Sequence, residues 1–246
     1  VLAWLAGLLA VAVAWQLWRI GQIVRATLPG SPRYDLRRWR AASLWMAIGS
    51  MLFAVSTTVD TVIVGSLMGA DDAAVYFSAS RTASVSALLL VGLRLVAAPV
   101  FAQLHYGEQP ERLRSRVEMT YGLSALTAAC VAIVAFVFAP QIMAIFGAEY
   151  AAGVGPFRIL ILGFAIATAG GMSSSILEST GAEALNARIL LVTQITTAAA
   201  VGFGAVAAGL YGAATAKALG IAIEAVWLSA CVFRRLSFRP SSAGAA

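Results

Sequence analysis

Charge is what this sequence most lacks: Asp, Glu, Lys and Arg make up 11% of its 246 residues, against roughly a quarter in a soluble globular domain. With 61% apolar residues and a mean hydropathy of +0.87, the chain cannot keep its side chains solvated, which excludes a soluble fold. Histidine is limited to His105, on a loop without a Cys, His or Asp cluster around it. Cysteine is limited to Cys130 and Cys231, far apart and without partners at metal-ligand spacing. No nucleophile with a base, carboxylate pair, P-loop, H-E-x-x-H or G-x-G-x-x-G in context is present, so no catalytic, cofactor-binding or metal residue is assigned. The chain is read as a non-enzyme. Alternation of apolar and polar residues is missing too, which excludes barrel strands and leaves helices.

What is there is a set of long apolar runs. A hydrocarbon core about 30 Å thick takes roughly 20 residues at about 1.5 Å rise each, and seven runs meet that length, near residues 1–18, 42–69, 73–104, 119–139, 157–178, 186–208 and 211–233. The expected fold is all-α and integral to a membrane, with seven transmembrane helices. Val1 already lies inside an apolar run with no charged segment before it, so the first run is read as the tail of a longer chain; a signal peptide is the competing reading.

A net charge of +6 would suggest nucleic acid in a soluble protein, but here the basic residues sort by loop, so no nucleic-acid partner is expected. Arg19, Arg25, Arg33, Arg37, Arg38 and Arg40 cluster after the first run. The loop "HYGEQPERLRSR" holds three arginines, "ESTGAEALNAR" ends in Arg188, and the tail "RRLSFRP" holds three. The intervening connections, "GADDA", "APQIMAIFGAEYAAGVGP" and "AGLYG", contain no Lys or Arg. The basic loops are therefore expected on the cytoplasmic side, with the carboxy terminus there and Val1 outside. The Arg19–Arg40 tract is a juxtamembrane linker attracted to the leaflet, or a specific anionic-lipid site.

Ionisable residues inside apolar runs cost about 2.5 to 3.5 kcal/mol at a helix centre, so each should face protein or a water-filled cavity. Asp60 and Arg81 lie at matching depth on either side of the acidic turn Gly69-Ala70-Asp71-Asp72, close enough to pair; a structural ion pair and a substrate contact are both open. Arg94, thirteen residues after Arg81, points well round the same helix and is a candidate for lining a cavity, and Pro99 just beyond it is expected to kink the helix. Lys217 and Glu224 share one face of the last helix about 10 Å apart. They are read as a polar face turned to a common cavity, with separate partners on neighbouring helices as the alternative. Arg158 and Glu178 bracket one helix and are expected to snorkel to its two interfaces. Gly65 and Gly69, Gly170 and Gly171, and the small residues from Ala198 to Gly209 allow close helix contact, with Gly170-Gly171 as a bending point.

Five stretches in order carry a family likeness: "VDTVIVGSLMGADDAAVYFSASR", "APVFAQL" with Pro99, "IMAIFGAEYAAGVGPFRILILG", "ILESTG" and "LYGAATAKALG". From about residue 42 to 233 the chain resembles the carboxy-terminal lobe of the polysaccharide-exporter branch of the multidrug/oligosaccharidyl-lipid/polysaccharide superfamily, the O-antigen-type flippases of lipid-linked oligosaccharides. The resemblance implies two six-helix lobes around a central cavity that opens alternately to either side. It implies that residues 1–18 are the last helix of a preceding amino-terminal lobe, 19–41 a cytoplasmic linker, 42–233 a six-helix lobe and 234–246 a cytoplasmic tail. Arg81, Arg94 and Lys217 would be the cationic contributors to an anionic substrate's path, with Asp60 and Glu224 beside them.

The expectation is thus a flippase lobe in the inner membrane, whose partners are a lipid-linked anionic oligosaccharide, membrane lipids and the missing lobe, and which needs no cofactor. A multidrug/cation antiporter or a peptidoglycan-precursor flippase of the same superfamily is the alternative. From other classes, a membrane-embedded glycan ligase or polymerase would be favoured by a large outward loop bearing Arg, His or carboxylates. A structural membrane subunit would be favoured by charges that are all paired and cavity-free.

Overall fold

The structure is a computed structural model that describes residues 2–27, 36–107 and 109–237. Among the described residues every regular element is helical. The chain divides into two units between Trp39 and Arg40. In the first unit, α1 (Leu2–Thr27) carries the apolar run past its expected end and through Arg19 and Arg25, with the Arg19 guanidinium 5.8 Å from the centre of the Trp15 ring. Helix α2 (Leu36–Ser56) begins on one side of the division and runs into the second unit.

The six runs expected after residue 41 are all helical, but most are not single helices. The 42–69 run is α2 followed by α3 (Val59–Met68), interrupted at Thr57-Thr58. The 73–104 run is α4 (Ala70–Ser84), a 3₁₀ turn at Val85–Ala87, and α5 (Leu88–Tyr106), which passes through Pro99 and stays helical to Tyr106. Helix α6 (Pro110–Val137) starts earlier than its apolar run, with Pro110 in the first turn where its missing amide costs nothing. A short α7 (Ala139–Ala144) and a 3₁₀ segment (Ala148–Gly153) lead into α8 (Val154–Gly170) and α9 (Ser173–Ser179). The last two runs form α10 (Glu183–Ser237), which folds back on itself where Ala208 and Gly209 leave helical geometry; Gly209 has φ 61°. Among the described residues four stretches are long and apolar enough to cross a membrane: Ser43–Met68, Glu111–Val137, Ala148–Ser179 and Glu183–Arg235. The last, of 53 residues, holds two passes, because contacts such as Thr193 with Glu224 bring its halves together.

Two apolar cores stack within the second unit. One joins Val64, Tyr76, Phe157, Leu160, Ile161 and Val201, and the other joins Phe101, Val117, Met172, Leu177, Leu228 and Val232. Helix α8 supplies the first core and α9 the second, so the interrupted α8–α9 run links both. Large apolar side chains such as Phe203, 78% exposed, cover the outside, the arrangement expected where the solvent is hydrocarbon.

Because lipid tails are as apolar as Leu, close approach and dispersion hold such helices together, and small residues set the distance. Gly163 lies against the Ala218 backbone, Gly170 against Ala225 and Ser229, and Gly220 against Thr197. Gly170 is thus a packing residue, and the expected bend falls one step later, at Gly171-Met172 between α8 and α9. The tightest crossing joins the halves of α10 at Gly204 and Gly212, where a Cβ on either would overlap the other's carbonyl. Gly212→Val should therefore cost about 1 to 3 kcal/mol of stability. Gly7→Ala, with nothing near it, should be neutral or slightly stabilising. Thermal unfolding of the two variants in detergent checks this.

Candidate functional site

A helix that stops inside apolar surroundings leaves its last four carbonyls to be satisfied by something other than water. At the end of α2 all four find donors. Ser56 Oγ donates to Phe53 O at 2.8 Å, Thr57 Oγ1 to Ala54 O at 2.7 Å and the Thr58 amide to Val55 O at 3.0 Å. The fourth, Ser56 O, accepts from Lys217 Nζ at 2.8 Å, a donor 161 residues away on the second half of α10.

Lys217 is the chain's only lysine and is 5% exposed. Its ammonium also lies 3.4 Å from Asp60 Oδ2 in the first turn of α3, and Asp60 is 2% exposed. Tyr76 of α4 donates its hydroxyl to the same Oδ2 at 3.2 Å, and the Thr61 amide donates to Oδ1 at 3.0 Å. Depth explains why these groups meet. Asp60 precedes the Gly69 turn by nine residues and Lys217 follows the Gly209 turn by eight, about 14 and 12 Å by helical rise. The two turns share one end of the molecule, since a Cβ on Gly209 would meet Met68 at 3.5 Å.

The expected pairing of Asp60 with Arg81 is corrected by this geometry. Depth matching places Arg81 at the right level but says nothing about its direction. The face of α4 turned to α3 carries Tyr76, buried with Ala79, Ser80 and Ala83; Arg81, five residues on from Tyr76, points about 140° round the helix. Arg81 is exposed, its guanidinium 5.3 Å from the centre of the Phe77 ring. No ion pair reaches it among the described residues.

Lys217 and Glu224 take separate hydrogen-bonding partners on other segments of the chain. Glu224, half-buried, has its Oε2 2.6 Å from Thr193 Oγ1 and accepts from Gln194 Nε2 at 2.9 Å, both on the first half of α10. The side chain of Arg94 lies outside the described residues. Arg158 donates from Nε to Phe136 O at 3.2 Å and rests over the Phe136 ring, while Glu178 accepts from Asn186 Nδ2 at 2.9 Å. A groove of about 660 Å³ between the halves of α10 is lined by Ala200, Phe203, Gly204, Tyr211, Ala216 and Ile223 among others, and none of the candidate charges lines it. No group of three metal-ligating side chains converges among the described residues. The reading of the residues missed Tyr76, Thr193 and Gln194. It also passed over the hydroxyl run Ser56-Thr57-Thr58 just before Asp60, which is the visible mark of a capped break in an apolar helix.

Removing one partner of a buried pair leaves an uncompensated charge, so Lys217→Met should cost about 3 to 5 kcal/mol. Adding Asp60→Asn to that variant should recover much of the loss. A double-mutant cycle followed by thermal unfolding measures the coupling, and strictly additive losses would show that the two side chains do not interact.

Comparison with known proteins follows the same outline. The MatE family model matches residues 46–203. No curated protein matches the chain. Among solved structures, a crystal structure of MATE in complex with MaD3S aligns with a TM-score of 0.79 and 16% identity, over 94% of this chain and 54% of that one. An outward-facing multidrug resistance MATE family transporter of the MOP superfamily aligns at 0.76 and 13% identity, over 86% and 49%. An inward-facing structure of such a transporter aligns at 0.71 and 15% identity, over 79% and 46%. This chain therefore spans about half the length of the structures it resembles, and at these identities the likeness is one of fold. With an all-α membrane architecture, a family-model match over residues 46–203 and the fold of half a MATE transporter, the chain belongs to the MatE family.

Proposed function

We propose that the chain is the carboxy-terminal lobe of an inner-membrane transporter that passes a lipid-linked, anionic oligosaccharide from the cytoplasmic to the outer leaflet by alternating access. Residues 1–18 are then the last helix of the partner lobe, 19–41 the linker and 234–246 a cytoplasmic tail. The observation that carries this reading is Arg81. It stands twelve residues past the Gly69 turn, about 18 Å into a hydrocarbon core of about 30 Å, exposed and without an ionic partner among the described residues. Turned to lipid it would cost about 2.5 to 3.5 kcal/mol, so its exposed face belongs against the missing lobe, where an anionic headgroup satisfies it. Asp60, the acid that a cation substrate would need at this depth, is already neutralised by Lys217 and bonded by Tyr76. Solved MATE transporters of this fold are known in outward-facing and inward-facing conformations, which supports a rocking mechanism for the assembled pair of lobes.

A multidrug or cation antiporter is the second reading, favoured by Glu224, a carboxylate at membrane depth that no ion pair reaches among the described residues. The two readings separate by mutation. In a strain lacking its polysaccharide flippase, Arg81→Ala should lower surface glycan at least tenfold, and Arg81→Lys should retain part of it, since an ammonium keeps the charge but loses the planar fork. Efflux of cationic dyes by Arg81→Ala should equal that of the parent. Undiminished glycan in Arg81→Ala would overturn the assignment.

A further inference from the structure

Hydroxyls inside these helices have a standard use: Thr120, Thr127, Thr193, Thr196, Thr215 and Ser229 each bond the carbonyl four residues back. Two deeply buried ones do not. Ser124 of α6, 1% exposed, and Thr168 of α8, 2% exposed, have no hydrogen-bond partner for their hydroxyl oxygens among the described residues. An unbonded hydroxyl is costly in apolar surroundings, so each one in a folded protein has to be accounted for. A third such atom, Asn186 Oδ1, belongs to an amide already engaged with Glu178 through Nδ2.

The two hydroxyls sit on neighbouring helices at one level. Helices α6 and α8 run antiparallel, and two contacts fix their register: Arg158 Nε with Phe136 O at 3.2 Å, and Tyr121 Oη with Ser173 Oγ at 2.6 Å just past the end of α8. Counted from the first contact, Thr168 lies ten residues along α8 and Ser124 twelve back along α6, about 15 and 18 Å by helical rise. The second contact gives the same offset, about 3 Å. Azimuth agrees as well. Ser124 recurs with Leu113, Val117, Ala128 and Ala132 at steps of four or seven, which is the buried face of α6. Thr168 follows Phe157 and Ile161 on the core face of α8, about 160° round from Gly170, which lies against Ala225 of α10.

Bulk water does not serve this level. Ala225 is sixteen residues past the Gly209 turn, so Thr168, two residues before Gly170, lies about 21 Å below the outer turn in a hydrocarbon core of about 30 Å. Charge is absent from the seam: α6 has none from Met119 to Val137, and α8 none from Ile159 to Gly170. The fitting occupant is a small neutral molecule that both donates and accepts. Thr168 also stands in the last turn of α8, where carbonyls lack intrahelical donors, so such a molecule has backbone acceptors beside the two hydroxyls.

We propose that Ser124 Oγ and Thr168 Oγ1 hold an ordered water between α6 and α8, with its remaining bonds going to carbonyls in the last turn of α8. The water extends a chain of hydroxyls that begins one turn away, where Tyr121 meets Ser173 and Ser173 meets Ser229. Together they form a polar seam from α6 across the α8–α9 break to α10. The site is independent of which substrate the lobe carries.

Ordered water inside a membrane protein is a local source of hydroxyl radicals under X-ray irradiation, and radiolytic labelling of the protein in lipid nanodiscs, read by mass spectrometry, reports it. Met172, fully buried and four residues past Thr168, should be oxidised severalfold faster than Met143, which is equally buried in the other core. That excess should disappear in the Ser124→Ala/Thr168→Val double variant and persist in Thr168→Ser, which keeps the hydroxyl. Thermal unfolding of the same preparations gives a second readout. Each single substitution strands the water's other partner, so Ser124→Ala and Thr168→Val should each lower the midpoint, and the double variant should lower it by less than their sum. Equal oxidation of Met172 and Met143 in the parent overturns the site, an outcome that needs no variant to fold. So does an excess that survives loss of both hydroxyls, or a pair of strictly additive midpoint shifts.

Discussion

A transmembrane helix can break only if its freed backbone groups find partners in the protein, and the described lobe depends on how this is met between α2 and α3. Three of the four orphaned carbonyls are satisfied locally, by two hydroxyls and one amide. The fourth is satisfied by a lysine from the far end of the chain, which is itself affordable in apolar surroundings only because Asp60 offsets its charge. One contact thus joins a backbone requirement, an electrostatic requirement and the packing of the last helix against the first of the lobe.

The rest of the architecture follows from what that staple leaves to packing. With no hydrophobic driving force between helices in lipid, association relies on close contact, and the glycines of α8 and α10 lie where backbones meet. Interruptions recur where hydroxyls can tend the carbonyls. Ser84 bonds Arg81 O and Ser86 bonds Ala83 O beside the 3₁₀ turn, and Ser173 bonds Gly170 O at the α8–α9 break. Polar side chains within these apolar runs serve the backbone first. Arg81 is the exception, exposed with its guanidinium over the Phe77 ring.

Much of the fold was legible because hydropathy counts residues against bilayer thickness, a one-dimensional property. The six runs after residue 41 all proved helical, and the turns at Gly69 and Gly209 fall where apolar runs end. The interruptions at Thr57-Thr58 and Val85–Ala87 were not anticipated, since a hydropathy window averages across a break that keeps its composition apolar. Pro99 lies inside α5, which stays helical through it to Tyr106.

For the site, the sequence determined which groups must be dealt with and at what depth, because length along a helix is distance across a membrane. Asp60, Lys217 and Arg81 were all singled out on that ground. Which of them meet was decided only by the tertiary structure. Partner choice depends on azimuth, on which helices are neighbours and on where a broken helix leaves a carbonyl open, and none of these is fixed by position along one apolar run. Helical rise brings Arg81 level with Asp60, but the packing of α3, α4 and α10 turns Tyr76 and Lys217 toward the carboxylate and Arg81 away from it.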